Sequence, residues 1–556
     1  MLFSLLVAAP AALALEPPPM PPRALGAAVR DAVPAPAARL RPAAGPSSLG
    51  GLADVQVNAD PGNLVDEAGP AVAVSPSGVI QIVWTGDETQ KTVWTARSTD
   101  GGATFSTPVR VNDAVPYPPS YSVFQPDIAV GPNGTVYVVW FDYRAWASDF
   151  DYGSPIDVYL DRSLDGGVTW STDVLASVGG SGTYPWHFQP YIAVDRATGA
   201  LYVAFNDLDR FGLGDGGDVS LARSLDGGAT FQAKRRVDDL PDTSHVTQKW
   251  PAIAVGPAGD VDVAFEDSRG SSTDIRLVRS ADHGLTFGPS VRVNADTTGL
   301  QVSPSLAVTP AGQVCAAWVD WSTDTDPTTA PFVNNVLFAR SPAGGAAFGA
   351  PVTVNDAPMN ADYGFDWPPR LAADAAGIVH ATWFDRRVDT TLCYYDRSID
   401  GGVTFGSDVV VSQNRDRVSH ALPRIAMGGN DNPCITWVDR RNGNAHFDVF
   451  YAGRRPVTDV PIASANDGAL RASPNPFTRA TSVSFALPRS ARVHIDVRDL
   501  QGRLLRRLSD GARAPGRYTV SWDGRDASGR PAPVGVYFVS LEAGGAASRV
   551  RAVRIE

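Results

Sequence analysis

The short motif S-x-D-x-G-x-T-F/W constrains this chain more than any other feature. It occurs as STDGGATF (Ser98 to Phe105), SLDGGVTW (Ser163 to Trp170), SLDGGATF (Ser224 to Phe231), SADHGLTF (Ser280 to Phe287) and SIDGGVTF (Ser398 to Phe405). A decayed copy, SPAGGAAF, spans Ser341 to Phe348. Recurrence at about 60 residues makes each copy part of one supersecondary unit in an array. The residue types suit a hairpin tip. The Asp carboxylate accepts backbone N–H bonds, Gly takes the positive φ positions, and the closing aromatic packs between neighbouring sheets.

A second element precedes each motif. It reads P-x-I/V/L-A-V/M, a Gly-containing turn, then an alternating strand that ends in Trp or Phe. Copies begin at Pro70, Pro126, Pro190, Pro251, Pro304, Pro368 and Pro423, and close on Trp84, Trp140, Phe205, Phe265, Trp318, Trp383 and Trp437. Each unit reads as four short strands with no helical period. Such units predict an all-β chain with a seven-bladed β-propeller over residues 53–458, six blades being the alternative. The last unit stops after its third strand. Val55-Gln56-Val57-Asn58-Ala59-Asp60 matches Val291-Arg292-Val293-Asn294-Ala295-Asp296, so strand 55–58 is expected to complete the last blade and leave no open edge.

Composition narrows the function. The chain is 44% hydrophobic, ample for a core, which excludes global disorder. The net charge is -12, unevenly spread. Residues 466–556 hold 15 Arg against 8 acids, a net of +7, which leaves -19 for the rest. An acidic body argues against a nucleic-acid partner. The 3 cysteines, Cys315, Cys393 and Cys434, cannot form a disulfide framework, and all three read as small buried hydrophobes. Residues 1–15 resemble a signal peptide with Ala12-Leu13-Ala14 at its end, and residues 16–52 read as a Pro/Ala-rich linker. No other run approaches the roughly 18 apolar residues of a membrane span. The expected location is secreted or cell surface, with no transmembrane segment in the mature chain.

The five motifs resemble the Asp-box, or BNR, repeats of the sialidase superfamily. The resemblance implies a propeller scaffold, and sialidases of that superfamily have six blades. It is far less specific for activity, since propellers of this type include hydrolases, lyases and non-catalytic binders. The motifs occupy the third-to-fourth turns of each unit. The second-to-third and between-blade loops share the opposite face, where a rigid scaffold displays functional loops.

The residue that opens each innermost strand differs between units: Ala71, Asp127, Tyr191, Ala252, Ser305, Arg370 and Arg424. An acid, a tyrosine and two arginines therefore converge near the axis on the loop-bearing face. Glu266 is the acid found just before the repeated Asp. A planar guanidinium binds a carboxylate bidentately. By resemblance, Arg370 and Arg424 would hold a substrate carboxylate. Tyr191 would be a nucleophile partnered by Glu266, and Asp127 an acid/base. The implied activity is a glycoside hydrolase of exo-α-sialidase type acting on acidic glycans. An F/Y-R-I-P motif is absent, and Pro423-Arg424-Ile425 has another order. A purely structural pairing of Asp127 with a neighbouring Arg is the plain alternative.

Further candidates surround this set. The pairs Asp142/Arg144, Asp207/Arg210, Asp267/Arg269, Asp385/Arg387 and Asp439/Arg441 read as structural ion pairs or turn caps. Alternatively, their arginines form a substrate-binding ring at the channel mouth. Trp186, Trp250 and Trp367 offer aromatic faces on which sugar rings stack, unless they plug the channel. His187 and His245 have no second ligand at metal spacing. Asp207, Asp209, Asp215 and Asp218, and separately Asp320, Asp324 and Asp326, offer oxygens to Ca²⁺ without EF-hand spacing. No metal or other cofactor is expected. The expected partner is an extracellular glycan or glycoprotein. The rival reading is a non-catalytic protein-interaction or adhesion propeller, which a flat, filled channel mouth would favour.

Residues 459–470 read as a linker and 471–556 as a small Ig-like β-sandwich, with period-two alternation between Gly and Pro turns. SPNPF (Ser473 to Phe477), Asp499 to Arg503, Trp522 to Asp526 and Gly535 to Tyr537 together resemble two groups. One is the Ig-like domain of flagellar hook-capping proteins. The other is the sorting domain of type IX secreted bacterial proteins, which implies engagement with the secretion machinery.

Overall fold

Among the described residues, seven sheets follow one another along the first part of the chain, each assembled from short antiparallel strands that are consecutive except for the last strand of the seventh. The computed structural model describes residues 54–453 and 471–555, apart from segments 59–66, 87–91, 114–122, 145–154, 180–185, 209–216, 241–245, 322–331, 362–368, 413–419, 442–445 and shorter stretches. The expected signal peptide and both linkers lie outside the described residues. Contacts divide the chain into two units, Met1–Arg455 and Pro456–Glu556.

Sheet one runs Ala68–Val74, Ile80–Gly86, Thr92–Ser98 and Val109–Arg110, in that spatial order. Sheets two to six repeat the order from Val123–Val130, His187–Val194, Gln248–Val255, Gln301–Val308 and Arg370–Ala373. Sheet seven takes His420–Gly428, Asn432–Asp439 and Asp448–Gly453, then Val55–Gln56 from the N-terminal side, with Val55 opposite Tyr451 and Gln56 opposite Phe450. The Val55–Asn58 segment docks as Val291–Asn294 does in sheet four. Asn58 Oδ1 accepts from Val449 N at 3.0 Å and its Nδ2 donates to Asp448 at 2.7 Å. Asn294 makes the same two bonds to Ile275 N and Asp274, both at 2.8 Å.

The first strand of each sheet contacts the first strand of the next, and sheet seven contacts sheet one. An apolar cluster fills each space between neighbouring sheets. Both faces of every sheet are therefore covered, so the second strand is apolar along its length. Its aromatics Trp84, Trp140, Phe205, Phe265, Trp318, Trp383 and Trp437 are at most 1% exposed. Each such burial stabilises the fold by roughly 2–3 kcal/mol. The repeated acid beside them satisfies some indoles: Trp140 donates to Asp142 at 3.1 Å and Trp437 to Asp439 at 3.0 Å. The architecture is all-β, of repeated four-stranded sheets, consistent with a propeller.

The S-x-D-x-G-x-T turns show why the motif recurs. Asp100 accepts from the backbone N–H groups of Ala103 and Thr104, both at 3.0 Å, and from the hydroxyls of Thr104 and Ser98. The second glycine lies at positive φ and tucks under the preceding sheet. A Cβ on Gly402 (φ +86°) would stand 2.3 Å from Phe338.

The second unit holds a three-stranded sheet (Arg471–Ser473, Thr481–Leu487, Gly516–Trp522) and a four-stranded one (Leu504–Arg513, Ala491–Arg498, Gly535–Ala543, Ala546–Arg554). It has its own core around Val483, Val493, Ile495, Trp522 and Val539. Trp522 packs edge-on against Phe477 and Tyr537. The three cysteines are buried and free. Burial pushes the thiols of Cys315 and Cys393 up to about 12, and that of Cys434 up to about 11. Among the described residues no helix is long and apolar enough to cross a membrane.

Candidate functional site at the axis

The innermost strands share a bulge just before the repeated proline. Gly69, Gln125, Gln189, Trp250, Ser303 and Leu422 all adopt left-handed φ, between +47° and +58°. The pairing register shifts at each of these points, for example between Phe124 and Asp127 and between Phe188 and Tyr191. Left-handed φ costs a non-glycine residue about 1–2 kcal/mol. Such bulges re-aim the side chain that follows. Here that side chain opens the inner strand.

Asp127, Tyr191, Arg370 and Arg424 meet as one cluster, although they come from sheets two, three, six and seven. Arg370 Nη2 donates to Tyr191 Oη at 2.8 Å. The Arg370 guanidinium lies 4.8 Å from the Tyr191 ring centroid and that of Arg424 5.9 Å. Asp127 Oδ2 accepts from Ile192 N at 3.0 Å. Arg370 is buried, and the other three are half-buried. The Nε atoms of Arg370 and Arg424 are both buried with no hydrogen-bond partner among the described residues.

Electrostatics follow from this crowding. Burial pushes the Asp127 carboxyl above its ordinary range, and Arg424 and Arg370 offset this only in part. Burial also works against the Tyr191 phenolate. The two guanidiniums more than reverse that, so the phenol ionises below its ordinary value. Arg424, desolvated and beside Arg370, falls to about 10. Two guanidiniums thus face one carboxyl and one phenol, an excess of positive charge that favours an anionic group. A phenol drawn toward phenolate and a carboxyl drawn toward its protonated form can serve as a base and an acid in one site.

Other candidates lie elsewhere. Glu266 is not brought to Tyr191. Its Oε1 accepts from Ser303 N at 2.7 Å, and Lys249 Nζ lies 3.8 Å from its Oε2. Four of the repeated arginines are committed to ion pairs. Arg144 bridges Asp142 and Asp173, Arg269 bridges Asp267 and Asp239, Arg387 bridges Asp385 and Asp408, and Arg441 bridges Asp439 and Asp54. Arg144, Arg387 and Arg441 also cover the rings of Tyr159, Tyr394 and Phe450. Each guanidinium is thereby drawn into sheet packing instead of a substrate ring. Trp186 is 8% exposed within the core between sheets two and three, so it offers no open face to a sugar. Trp250 is half-buried, its backbone N–H bound to Asn206 Oδ1 at 3.0 Å. His187 joins Asp157 and Lys234. Arg210, Trp367, His245, Asp209, Asp215, Asp324 and Asp326 lie outside the described residues.

Asp207 contacts Ser220 and Lys234, and Asp218 contacts Arg236. Asp320 accepts from Gln301. Among the described residues no group of three or more His, Cys, Asp or Glu is placed to hold a metal ion. The sequence did not single out Asn206, and it marked Ser305 only as the residue that opens its inner strand. Asn206 sits in the same slot as Glu266, one unit earlier, and that shared slot was the available signal.

Three solved structures are similar to the chain at low identity. An α-L-arabinanase of Penicillium chrysogenum has 15% identity, with 74% of this chain and 99% of that chain covered, and a TM-score of 0.43. An ulvan lyase has 12% identity, 72% and 96% coverage and a TM-score of 0.48. A protein of unknown function from Dyadobacter fermentans has 13% identity, 72% and 97% coverage and a TM-score of 0.45. No curated protein matches the sequence. Within the second unit, residues 473–547 match the family model of the FlgD Ig-like domain.

Proposed function

We propose that the first unit is a seven-bladed propeller of the Asp-box type, secreted or displayed at the cell surface, that recognises acidic glycans at its axis. The observation that carries this reading is the pair of buried guanidinium Nε atoms on Arg370 and Arg424, without a hydrogen-bond partner among the described residues, beside a Tyr191 phenol that already binds Arg370. A sugar carboxylate supplies the planar, bidentate acceptor that such groups lack. Tyr191 and Asp127 then stand beside the bound sugar as nucleophile or base and as acid. This is the equipment of a glycoside hydrolase of exo-α-sialidase type. In this reading residues 471–556 deliver the protein outside the cell through the secretion machinery.

A glycan array spanning sialylated, uronate-bearing and neutral sugars tests recognition, and turnover of a fluorogenic sialoside tests hydrolysis. Binding confined to acidic glycans, lost in Arg424→Ala, is the expected result. Binding to no sugar, or binding indifferent to Arg424→Ala, overturns it. For the second unit, a chain ending near Val460 is expected to fold but not to reach the surface of its native host. Normal surface levels of that truncated chain would refute the sorting role.

A further inference from the structure

Four side chains make one repeated kind of contact between neighbouring sheets at the inner rim. Asp127 of sheet two accepts from Ile192 N of sheet three at 3.0 Å. Asn206 of sheet three accepts from Trp250 N of sheet four at 3.0 Å. Glu266 of sheet four accepts from Ser303 N of sheet five at 2.7 Å. Ser305 Oγ of sheet five accepts from Leu371 N of sheet six at 3.1 Å. The four contacts are consecutive around the ring.

Where they start and stop is informative. Ile192 follows Tyr191, and Leu371 follows Arg370. The two middle donors, Trp250 and Ser303, are themselves left-handed bulge residues. The run therefore begins beside Tyr191, passes through the two bulges that separate it from Arg370, and ends beside Arg370. Past that point the residues that open the inner strands are Arg370, Arg424 and Ala71, whose side chains have no acceptor to offer. The four contacts thus tie the arc from sheet two to sheet six.

We propose that Asn206, Glu266 and Ser305 are positioning residues. With Asp127 they form a series of inter-sheet latches that fixes the 2.8 Å contact between Arg370 and Tyr191 across the axis. This rests on the reading of the axial cluster as the binding site. The mechanism is geometric: the two partners sit on sheets three and six, so their separation sums any slack at three interfaces. Packed aliphatic side chains resist separation of the sheets but set no direction for sliding along the rim. A hydrogen bond to a backbone N–H does, because it weakens steeply with misalignment. Asn206 is in turn held by Gln189, the left-handed residue ahead of Tyr191's strand segment, which ties that bulge into the same series.

The test needs no substrate. Ultraviolet titration of the full chain, minus that of Tyr191→Phe, isolates the Tyr191 phenol. Its midpoint is expected below the ordinary value of about 10, because Arg370 and Arg424 favour the phenolate. Ser305→Ala and Asn206→Ala are expected to raise it by about one pH unit as Arg370 drifts from the phenol. Ser305→Thr and Glu266→Gln keep an acceptor oxygen and are expected to leave it in place. Near-ultraviolet circular dichroism checks folding, and if Asn206→Ala unfolds, Ser305→Ala decides. An unmoved midpoint in folded Ser305→Ala, or an equal rise in Ser305→Thr, overturns the proposal. A chain that binds no acidic glycan but shows the expected midpoint shifts refutes the binding reading and supports the latches.

Discussion

The repeated turns and the axial cluster use the same residue types to opposite ends. In the turns, Asp100 accepts four hydrogen bonds within its own loop, from Ala103, Thr104 and Ser98. Burial is the largest single influence and pulls the other way, yet these bonds together hold its carboxyl down to about 2. At the axis, Asp127 has its carboxyl pushed up by burial, and two arginines keep Nε atoms that no described residue satisfies. The four described repeated arginines follow the turn pattern, each spent on two carboxylates. The recurring turn aspartates and ion-paired arginines are satisfied locally and stabilise the scaffold. Residues that occur once are held across the ring with capacity left for a ligand.

The sharpest way to break this comparison is to remove one arginine of each kind. Under the proposed function, Arg370→Ala deletes half of a bidentate anion site, and it also relieves like-charge crowding with Arg424. Acidic-glycan affinity is expected to fall by about a hundredfold or more, with little change in unfolding free energy. Arg387→Ala leaves Asp385 and Asp408 buried without their cation. It is expected to cost about 3 kcal/mol of stability while the folded fraction binds normally. Calorimetric titration and denaturant unfolding on both variants read the two effects. If both substitutions move binding and stability together, repeated and singular arginines are not distinct classes.

Glycines sharpen the same contrast within the scaffold. Gly402 (φ +86°) and Gly78 (φ +84°) have matching backbones, but only Gly402 presses on a neighbour, the Phe338 ring. Gly78→Ala is expected to cost about 1–2 kcal/mol from left-handed strain alone. Gly402→Ala adds the displacement of Phe338, for a total of about 3 kcal/mol. Chemical denaturation of the two variants separates conformational strain from interlocking of sheets. Equal losses would show that the turn glycines do not lock neighbouring sheets.

Much of the scaffold was legible because repetition averages away local ambiguity. The closing aromatics and the P-x-I-A-V strands mark four-stranded units, and those sheets are what the structure contains. The meeting of Tyr191 with Arg370 is less direct. Their shared slot in the repeat was visible, but the distance spanned across the axis depends on the bulge ahead of each proline. That bulge places Gln125, Gln189, Trp250, Ser303 and Leu422 in left-handed φ, and only the copy at Gly69 carries a glycine to announce it. Glu266 drew attention as an acid, while Asn206 in the same slot did not. Both accept from a neighbouring backbone, so the shared slot mattered more than the charge. Trp186 and the repeated arginines looked suited to a sugar face by type. Which face of a sheet they pack against is a tertiary property, and the repeat pattern does not encode it.

The smallest expected effect concerns two further aspartates that depart from the repeat. Asp161 and Asp396 occupy a buried slot that holds Ala96, Ala222, Val278 and Ala339 in other sheets. Each has Oδ1 bonded and Oδ2 buried without a hydrogen-bond partner among the described residues. Burial, reinforced by neighbouring Asp173 and Asp113, raises Asp161 to about 7. Asp396, flanked by Asp408 and Asp356, is likewise raised to about 7. The protonated forms are thus favoured in the fold. Their contribution is fully present below the unfolded value near 4 and is lost as pH rises through 7. The turn aspartates run the other way, contributing above the unfolded value and losing that contribution as pH falls toward 2. The melting temperature is therefore expected to drop by about one or two degrees between pH 5 and pH 8. Asp161→Ala combined with Asp396→Ala should flatten that slope and raise the pH 8 value, since other sheets accommodate alanine there. Scanning calorimetry of both proteins across the interval decides it. A melting temperature that climbs from pH 5 to pH 8, or a slope unchanged in the double variant, would show that these two acids are ionised in the fold. The contrast between satisfied turn carboxylates and buried singular ones would then have to be redrawn around solvent access.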